Sequence, residues 1–359
     1  MERALRVLSS TPLVDGHNDL PWAIRQSDAA PHDVHADVHD LRSPTTFHTD
    51  IPRVLAGRVG AQYWSVYVPY GAIEDGAAMT QLEQIDIAHQ IIARYPDVFE
   101  LALDASDVER IFAAGKIASM LGMEGGHAIE NSLGSLRAFH ELGVRYMTLT
   151  HNGTIDWADS AADTALHDGL SPFGQEVVRE MNRLGMLVDL SHTSPATMND
   201  ALDVSEAPVI WSHAAANAVR EHTRNVPDQV LRRLPENGGV VMVTFVPSFV
   251  SPGAEATLSD VGDHIDHVAN VAGIDHVGIG SDFDGIDSTP VGLEDVSTFP
   301  ALFAELSRRG WTDEDLAKLA GENMLRVMRE AEAVARRIQR ERPPSTATIE
   351  ELDGMPTGG

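Results

Sequence analysis

The chain has 359 residues, 43% hydrophobic and 22% charged, the composition of a folded globular protein with a large core. Lys and Arg total 26 against 54 Asp and Glu, and a formal net charge of -28 sets the chain against nucleic acid and anionic membrane surfaces as partners. There is no cysteine, so disulfides and thiolate metal sites are excluded and any metal must be held by carboxylates and by the 16 histidines.

The opening stretch, MERALRVLSSTPLVDGHNDL, lacks the apolar run of a secretory signal, which argues for a cytoplasmic protein. From there, short β-rich runs alternate with helical stretches, the pattern of parallel strands joined by helical crossovers. The strand runs are PLVDGH near Leu13, AQYWSVYV near Trp64, KIASMLGME near Ala118 and VRYMTLTH near Met147. MLVDLSH near Val188, APVIWSH near Ile210, GGVVMVTF near Val241 and HVGIGSD near Ile279 complete a set of eight. Eight closes a barrel, so the expected fold is α/β, a (β/α)8 TIM barrel with a C-terminal helix and flexible tail. Apolar spacing predicts helices over 78–95, 173–184 and 258–272, with Gly185 and Gly273 as stops. Thr312, followed by three acidic residues, predicts an N-cap for a helix running to about Arg337. Residues 1–341 read as one domain, and 342–359, rich in Pro, Gly, Ser and Thr, as a tail that is flexible or draped over the surface. The longest apolar run, GGVVMVTFVPSFV, is shorter than the roughly 20 residues of a membrane span and contains Pro247. The loop from Ser27 to Asp50 carries His32, His35, His39 and His48 and reads as solvated.

Ionisable residues recur where these strands end, the face on which barrel enzymes build active sites. His17 and Asp19 follow the first strand, Glu124 the third, His151 the fourth, His192 the fifth, His213 the sixth and Asp282 the eighth. Unpaired buried charge is costly, so this many groups on one rim implies coordination or pairing. Three imidazoles and three carboxylates, before His151 is counted, suit two ions better than one, and Glu124 is the choice for the carboxylate bridging them. Asp19, Glu124, Asp282 and one hydroxide would balance two divalent cations in a buried pocket.

These residues sit in segments that together resemble the renal, or membrane, dipeptidases, a branch of the binuclear amidohydrolases. The segments are DGHNDLPW, EGGHAI with SLGSLRAFHELGVRYMTLTHN, LSPFGQEVVREMNRLGMLVDLSHTS, APVIWSHA, RNVPD and GIGSDFDG, in family order across nearly the whole chain. The resemblance implies a barrel with two zinc ions per subunit that hydrolyses dipeptides, L-Xaa-D-Xaa among them. Carried onto this sequence, His17, Asp19 and Asp282 would hold one zinc, His192 and His213 the other, and Glu124 would bridge. It also implies that His151 grips the scissile carbonyl and that Arg224 binds the substrate's free carboxylate, a match a guanidinium makes with two parallel hydrogen bonds.

The expected mechanism is attack of a metal-bridging hydroxide on the amide carbonyl, with Asp282 taking a proton and passing it to the departing amine. His151 would help to stabilise the oxyanion. The alternative is a related binuclear amidohydrolase acting on another small amide, such as a β-lactam or an N-acyl amino acid. A homodimer is the base-rate expectation for assembly. Asp189 and Asp284 are read as hydrogen-bonding supports, and His127 as a cap or packing residue.

Overall fold

The computed structural model describes residues 1–253 and 255–354. Nine parallel strands form one sheet: β1 (Leu13–Asn18), β2 (Val59–Tyr67), β3 (Phe99–Leu101), β4 (Ile117–Glu124), β5 (Val144–Thr148), β6 (Leu187–Asp189), β7 (Ile210–Ala214), β8 (Val240–Val243) and β9 (Val277–Ile279). Pairing runs from β2 through β1, β9, β8, β7, β6 and β5 to β4, and β4 pairs back onto β2, so eight strands close a barrel. The eight sequence runs correspond to these eight. The ninth, β3, is an addition that pairs only with the start of β4, through Phe99 to Ile117 and Leu101 to Ser119.

Side chains alternate between two cores, as the period of a strand requires. Val14, Ala61, Tyr63, Ala118, Met120, Tyr146, Leu187, Ile210, Val240 and Met242 pack together inside the barrel. Their neighbours Leu13, Trp64, Leu121, Met147, Val188, Trp211, Val241 and Ile279 pack against the surrounding helices.

Those helices begin and end where local chemistry dictates. In α1 (Ala77–Arg94) and α2 (Pro172–Leu184) the bounds lie within a residue of the expected ones. Ser171 caps α2 by accepting from Gly174 N–H, Pro172 occupies its first turn, and Gly185 stops it at φ 79°. α3 (Leu258–Ala272) opens with a reciprocal capping box between Thr257 and Asp260.

The helix expected from Thr312 starts there, with its own capping box to Asp315, but it is not uniform. A π turn spans Lys318–Glu322 before α4 (Asn323–Glu341), which ends later than expected. Gly321 lies in that turn, and a Cβ there would come within 2.2 Å of the Pro12 carbonyl oxygen, so the turn fits against the lower end of β1 only as glycine. Met324, Leu325, Val327, Met328 and Ala331 then join the inner core and plug the barrel's N-terminal mouth.

Beyond Arg342 the described residues follow the draped rather than the flexible expectation. A short helix, α5 (Ile349–Asp353), lies on α2: the Asp353 carboxylate accepts from Ser171 Oγ at 2.6 Å and Phe173 N at 2.9 Å, and Ile349 is buried. Residues 355–359 of the expected tail lie outside the described residues. No helix among the described residues is long and apolar enough to cross a membrane.

Candidate metal centre

Strand register brings the C-terminal ends of the barrel level: Tyr67 pairs with Glu124, Glu124 with Thr148, and Thr148 with Asp189. Above that ring the expected groups converge. The His17, Asp19, Glu124, His192 and His213 side chains are all buried, and Asp282 is only slightly exposed. Three overlapping sets have ligand atoms within 4.8 Å of one another: His17, Asp19 and Glu124; His17, His213 and Asp282; and Glu124, His192 and His213.

Glu124 stands between two halves of this cluster. Its Oε2 lies 3.5 Å from His17 Nε2, while Oε1 lies 2.9 Å from His192 Nε2 and 3.4 Å from His213 Nε2. Asp19 Oδ2 and Asp282 Oδ1 approach His17 Nε2 to 3.2 and 4.0 Å. Gly285 makes room beside them, because a Cβ there would come within 2.2 Å of Asp19 Oδ2 and 2.7 Å of Asp282 Oδ1. Gly125, directly after Glu124, turns the chain at φ 117°, a conformation that glycine tolerates.

Each imidazole is oriented from behind, and in each case Nδ1 is the nitrogen engaged. His17 Nδ1 meets Tyr146 Oη at 2.8 Å, and that hydroxyl donates onward to Gly16 O. His213 Nδ1 meets Ser212 Oγ at 2.9 Å, and Ser212 donates to Asp189. His192 Nδ1 donates to Asn152 Oδ1 at 3.1 Å. With Nδ1 carrying the proton, the Nε2 lone pairs all face the centre, and those of His192 and His213 stand 3.0 Å apart. His17 Nε2 is a buried nitrogen with no hydrogen-bond partner among the described residues. Converging lone pairs and carboxylates repel unless a cation lies among them, so the donor set fits metal ions, and imidazole with carboxylate suits zinc.

The electrostatics agree. Burial holds His192 and His213 well below the usual imidazole range, which keeps both neutral. Burial also works against charge on His17, but Tyr146, Asp19 and Glu124 outweigh it and favour positive charge at that position. Burial opposes ionisation of Glu124, yet the positive charge favoured at His17 keeps its carboxyl well below the ordinary range. Burial, reinforced by Asp19 and Glu124, pushes Asp282 well above it.

The centre floors a cavity of about 650 Å³ whose walls include Trp22, Tyr67, His151, Arg224, Val246, Phe249 and Ile286. The His151 ring lies 4.3 Å from that of His192 and 4.7 Å from that of Tyr67. Arg224 is 6% exposed, its guanidinium sits over the Phe249 ring at 5.1 Å, and its Nε has no partner among the described residues. Asp19, Glu124, His151, His192, His213, Arg224 and Asp282 all line this one cavity, and His17 lies buried beneath it against Asp19 and Glu124.

Sequence reasoning missed Tyr67 and Trp22, which meet edge to face at 4.8 Å, and the supports Tyr146, Asn152 and Ser212. Tyr67 had a signal, as the last residue of the second strand. Asp189 does act as a support, through Thr148, Ser191 and Ser212. Asp284 accepts from His48 N and donates its own N–H to His48 Nδ1. The loop expected to be solvated is so only in part: His32 and His35 are exposed, His39 is buried against Asp33 O, and His48 is tied to Asp284. His127 packs in the interior beside Tyr70.

The family model for membrane dipeptidase, peptidase family M19, matches residues 1–342. Among solved structures, the probable dipeptidase PvdM from Pseudomonas aeruginosa shares the fold, with a TM-score of 0.84 and 23% identity over 93% of this chain and 98% of that one. Dipeptidase AC, a metallo peptidase of family M19, is 29% identical with a TM-score of 0.80 over 89% and 98% of the two chains. A metallo peptidase from Rhodobacter sphaeroides, liganded with a phosphinate mimic of the dipeptide L-Ala-D-Ala, is 28% identical with a TM-score of 0.79 over 89% and 99%. A barrel whose rim gathers these imidazoles and carboxylates, matched by the family model over 342 of its 359 residues, belongs to the membrane dipeptidase family, peptidase family M19.

Proposed function

We propose that this protein is a dipeptidase working with two zinc ions, held by His17, Asp19 and Asp282 on one side of Glu124 and by His192 and His213 on the other. One observation carries the reading: the two oxygens of Glu124 face two different sets of imidazole lone pairs at the floor of a cavity that also holds a buried guanidinium whose Nε has no partner among the described residues. When bound, the metal ions supply Lewis acidity and water activated near neutral pH. Residues 1–341 would act as a single metallohydrolase unit.

The residues divide the remaining work. Arg224 is the group for the substrate's free carboxylate. Burial lowers the guanidinium's pKa to about 10, but with Asp282 and Glu124 favouring its charge it stays charged at neutral pH, and a substrate carboxylate would give it the direct partner a buried charge needs. A carboxylate bound there fixes how far the scissile bond can sit from the chain end, which selects dipeptides. The cavity volume lies within the roughly 300–1,000 Å³ of small-ligand sites. Burial keeps His151 neutral, so its Nε2 can donate to a carbonyl oxygen as charge develops there. The Asp282 carboxylate, whose affinity for a proton burial raises, accepts the proton of the attacking water and returns it to the amine that leaves. The L-Ala-D-Ala mimic in the Rhodobacter sphaeroides metallo peptidase supports dipeptides, including those with a D residue second, as the substrate class.

The test is a panel of L,L and L,D dipeptides with free and amidated C-termini, offered to zinc-loaded protein. Hydrolysis of free dipeptides, with amidated ones spared, is expected. Equal rates on free and amidated substrates would remove Arg224 from its role.

A further inference from the structure

The three metal-facing imidazoles are not held alike. His17 and His213 lie on β1 and β7 and lean on groups of the barrel wall, Tyr146 of β5 in one case and Ser212 with Asp189 in the other. His192 lies beyond the end of β6, which stops at Asp189, and its backbone adopts φ 66°. That left-handed conformation is disfavoured for any residue with a Cβ and persists only where surroundings impose it.

The imposing groups come from the loop between β5 and α2. The His192 carbonyl accepts from Ala161 N at 2.7 Å and Thr150 Oγ1 at 3.2 Å, and an isolated antiparallel bridge pairs Ser160 with Thr193. Ser160 Oγ lies 2.6 Å from His151 O and 3.3 Å from His192 O, joining the two histidines through one hydroxyl. The side chain is fixed by the same loop, through Asn152 Oδ1 on Nδ1. Asp282 also has a left-handed backbone, at φ 68°, but its N–H donates to His17 O on β1 and owes nothing to this loop.

Resting on the two-cation reading above, we propose that Asn152 and Thr150 are positioning residues that hold His192 as a ligand. The cation on the His192 and His213 side of Glu124 then depends on this loop, and the cation on the His17 and Asp19 side does not. Asn152 acts by fixing the ring's orientation and its Nδ1 proton. Thr150 acts by fixing the strained backbone beneath it. Groups that orient a metal-bound histidine are typically worth about 10- to 100-fold in metal affinity.

The experiment is a competition titration of metal-free protein with zinc against a chromophoric chelator, which reads each ion's affinity without reference to turnover. The wild type should take up two ions. Asn152→Ala should weaken one ion by about 10-fold or more and leave the other within about threefold of wild type. Asn152→Asp keeps the acceptor and should restore the weakened ion. Thr150→Val should weaken the same ion, and Tyr146→Phe, which removes the partner of His17, the other one. Wild type binding fewer than two ions overturns the two-cation reading and this inference with it. Two ions in the wild type, with Asn152→Ala and Thr150→Val weakening both ions equally or neither, or with Asn152→Asp failing to restore, overturns the inference alone.

Discussion

Asp282 and Arg224 line the same cavity and do different work there, one moving a proton and the other holding the substrate, and single substitutions separate them. Asp282→Asn keeps an oxygen to face His17 but cannot accept a proton, so kcat should fall by about 10²- to 10⁴-fold with KM little changed. Steady-state kinetics on one dipeptide checks this, and unchanged kcat would take Asp282 out of the proton path. Arg224→Met removes the charge-assisted hydrogen bonds to the substrate carboxylate. It should raise KM for free dipeptides by roughly 10- to 100-fold and abolish the preference over amidated ones. At this scale the sequence was informative because ionisable residues stand immediately after apolar runs, at His17, Glu124, His213 and Asp282. The groups behind them were hidden. Tyr146 reads as one more strand aromatic and Asn152 as one more loop amide, and only cross-strand register and loop path bring them to His17 and His192.

The elements differ in how openly they announced themselves. Helix α2 was plain in the sequence because its apolar residues recur at helical spacing and Gly185 stops it, and the structure adds Ser171 and Pro172 at its start. The π turn at Lys318–Glu322 was not, since the turn packs Gly321 against Pro12, a contact between residues far apart in the chain. Strand β3 is three residues long with Glu100 at its centre, too short to show a period. Helix α3 carries a pH-sensitive tie: His264 accepts from Ala216 N through Nδ1 and donates from Nε2 to Val250 O, joining the segments after β7 and β8. Burial lowers its pKa to about 4, below the roughly 6.5 of an unfolded histidine. The unfolded chain therefore binds the proton first, so this contribution is intact above about pH 6.5 and is lost as pH falls toward 4, by about 2 kcal/mol at pH 5. Denaturant titrations at pH 7 and pH 5 should show that loss in the wild type and a smaller one in His264→Gln. Equal losses would assign the pH dependence elsewhere.

For the whole molecule, the formal charge of -28 is a destabilising field that salt should relieve. The many Arg–carboxylate pairs on the surface respond in the opposite sense, but each is worth at most about 1 kcal/mol. The melting temperature should rise by a few degrees as NaCl goes from about 10 mM to about 0.5 M, over which screening shortens from tens of ångströms to a few. A flat or falling curve would show the pairs to dominate. The barrel itself was legible because eight apolar runs recur at crossover spacing. Its plug was not, because α4 reads from the sequence only as an amphipathic helix, and which core receives Met324 and Leu325 depends on the whole closing up. The centre at the other mouth is the claim on which the rest stands. Stepwise addition of zinc to metal-free protein, with dipeptide hydrolysis followed at each step, tests it most directly. Activity should start at zero and climb to a plateau at two equivalents per chain; turnover by the metal-free protein, or a plateau at one equivalent, would contradict it.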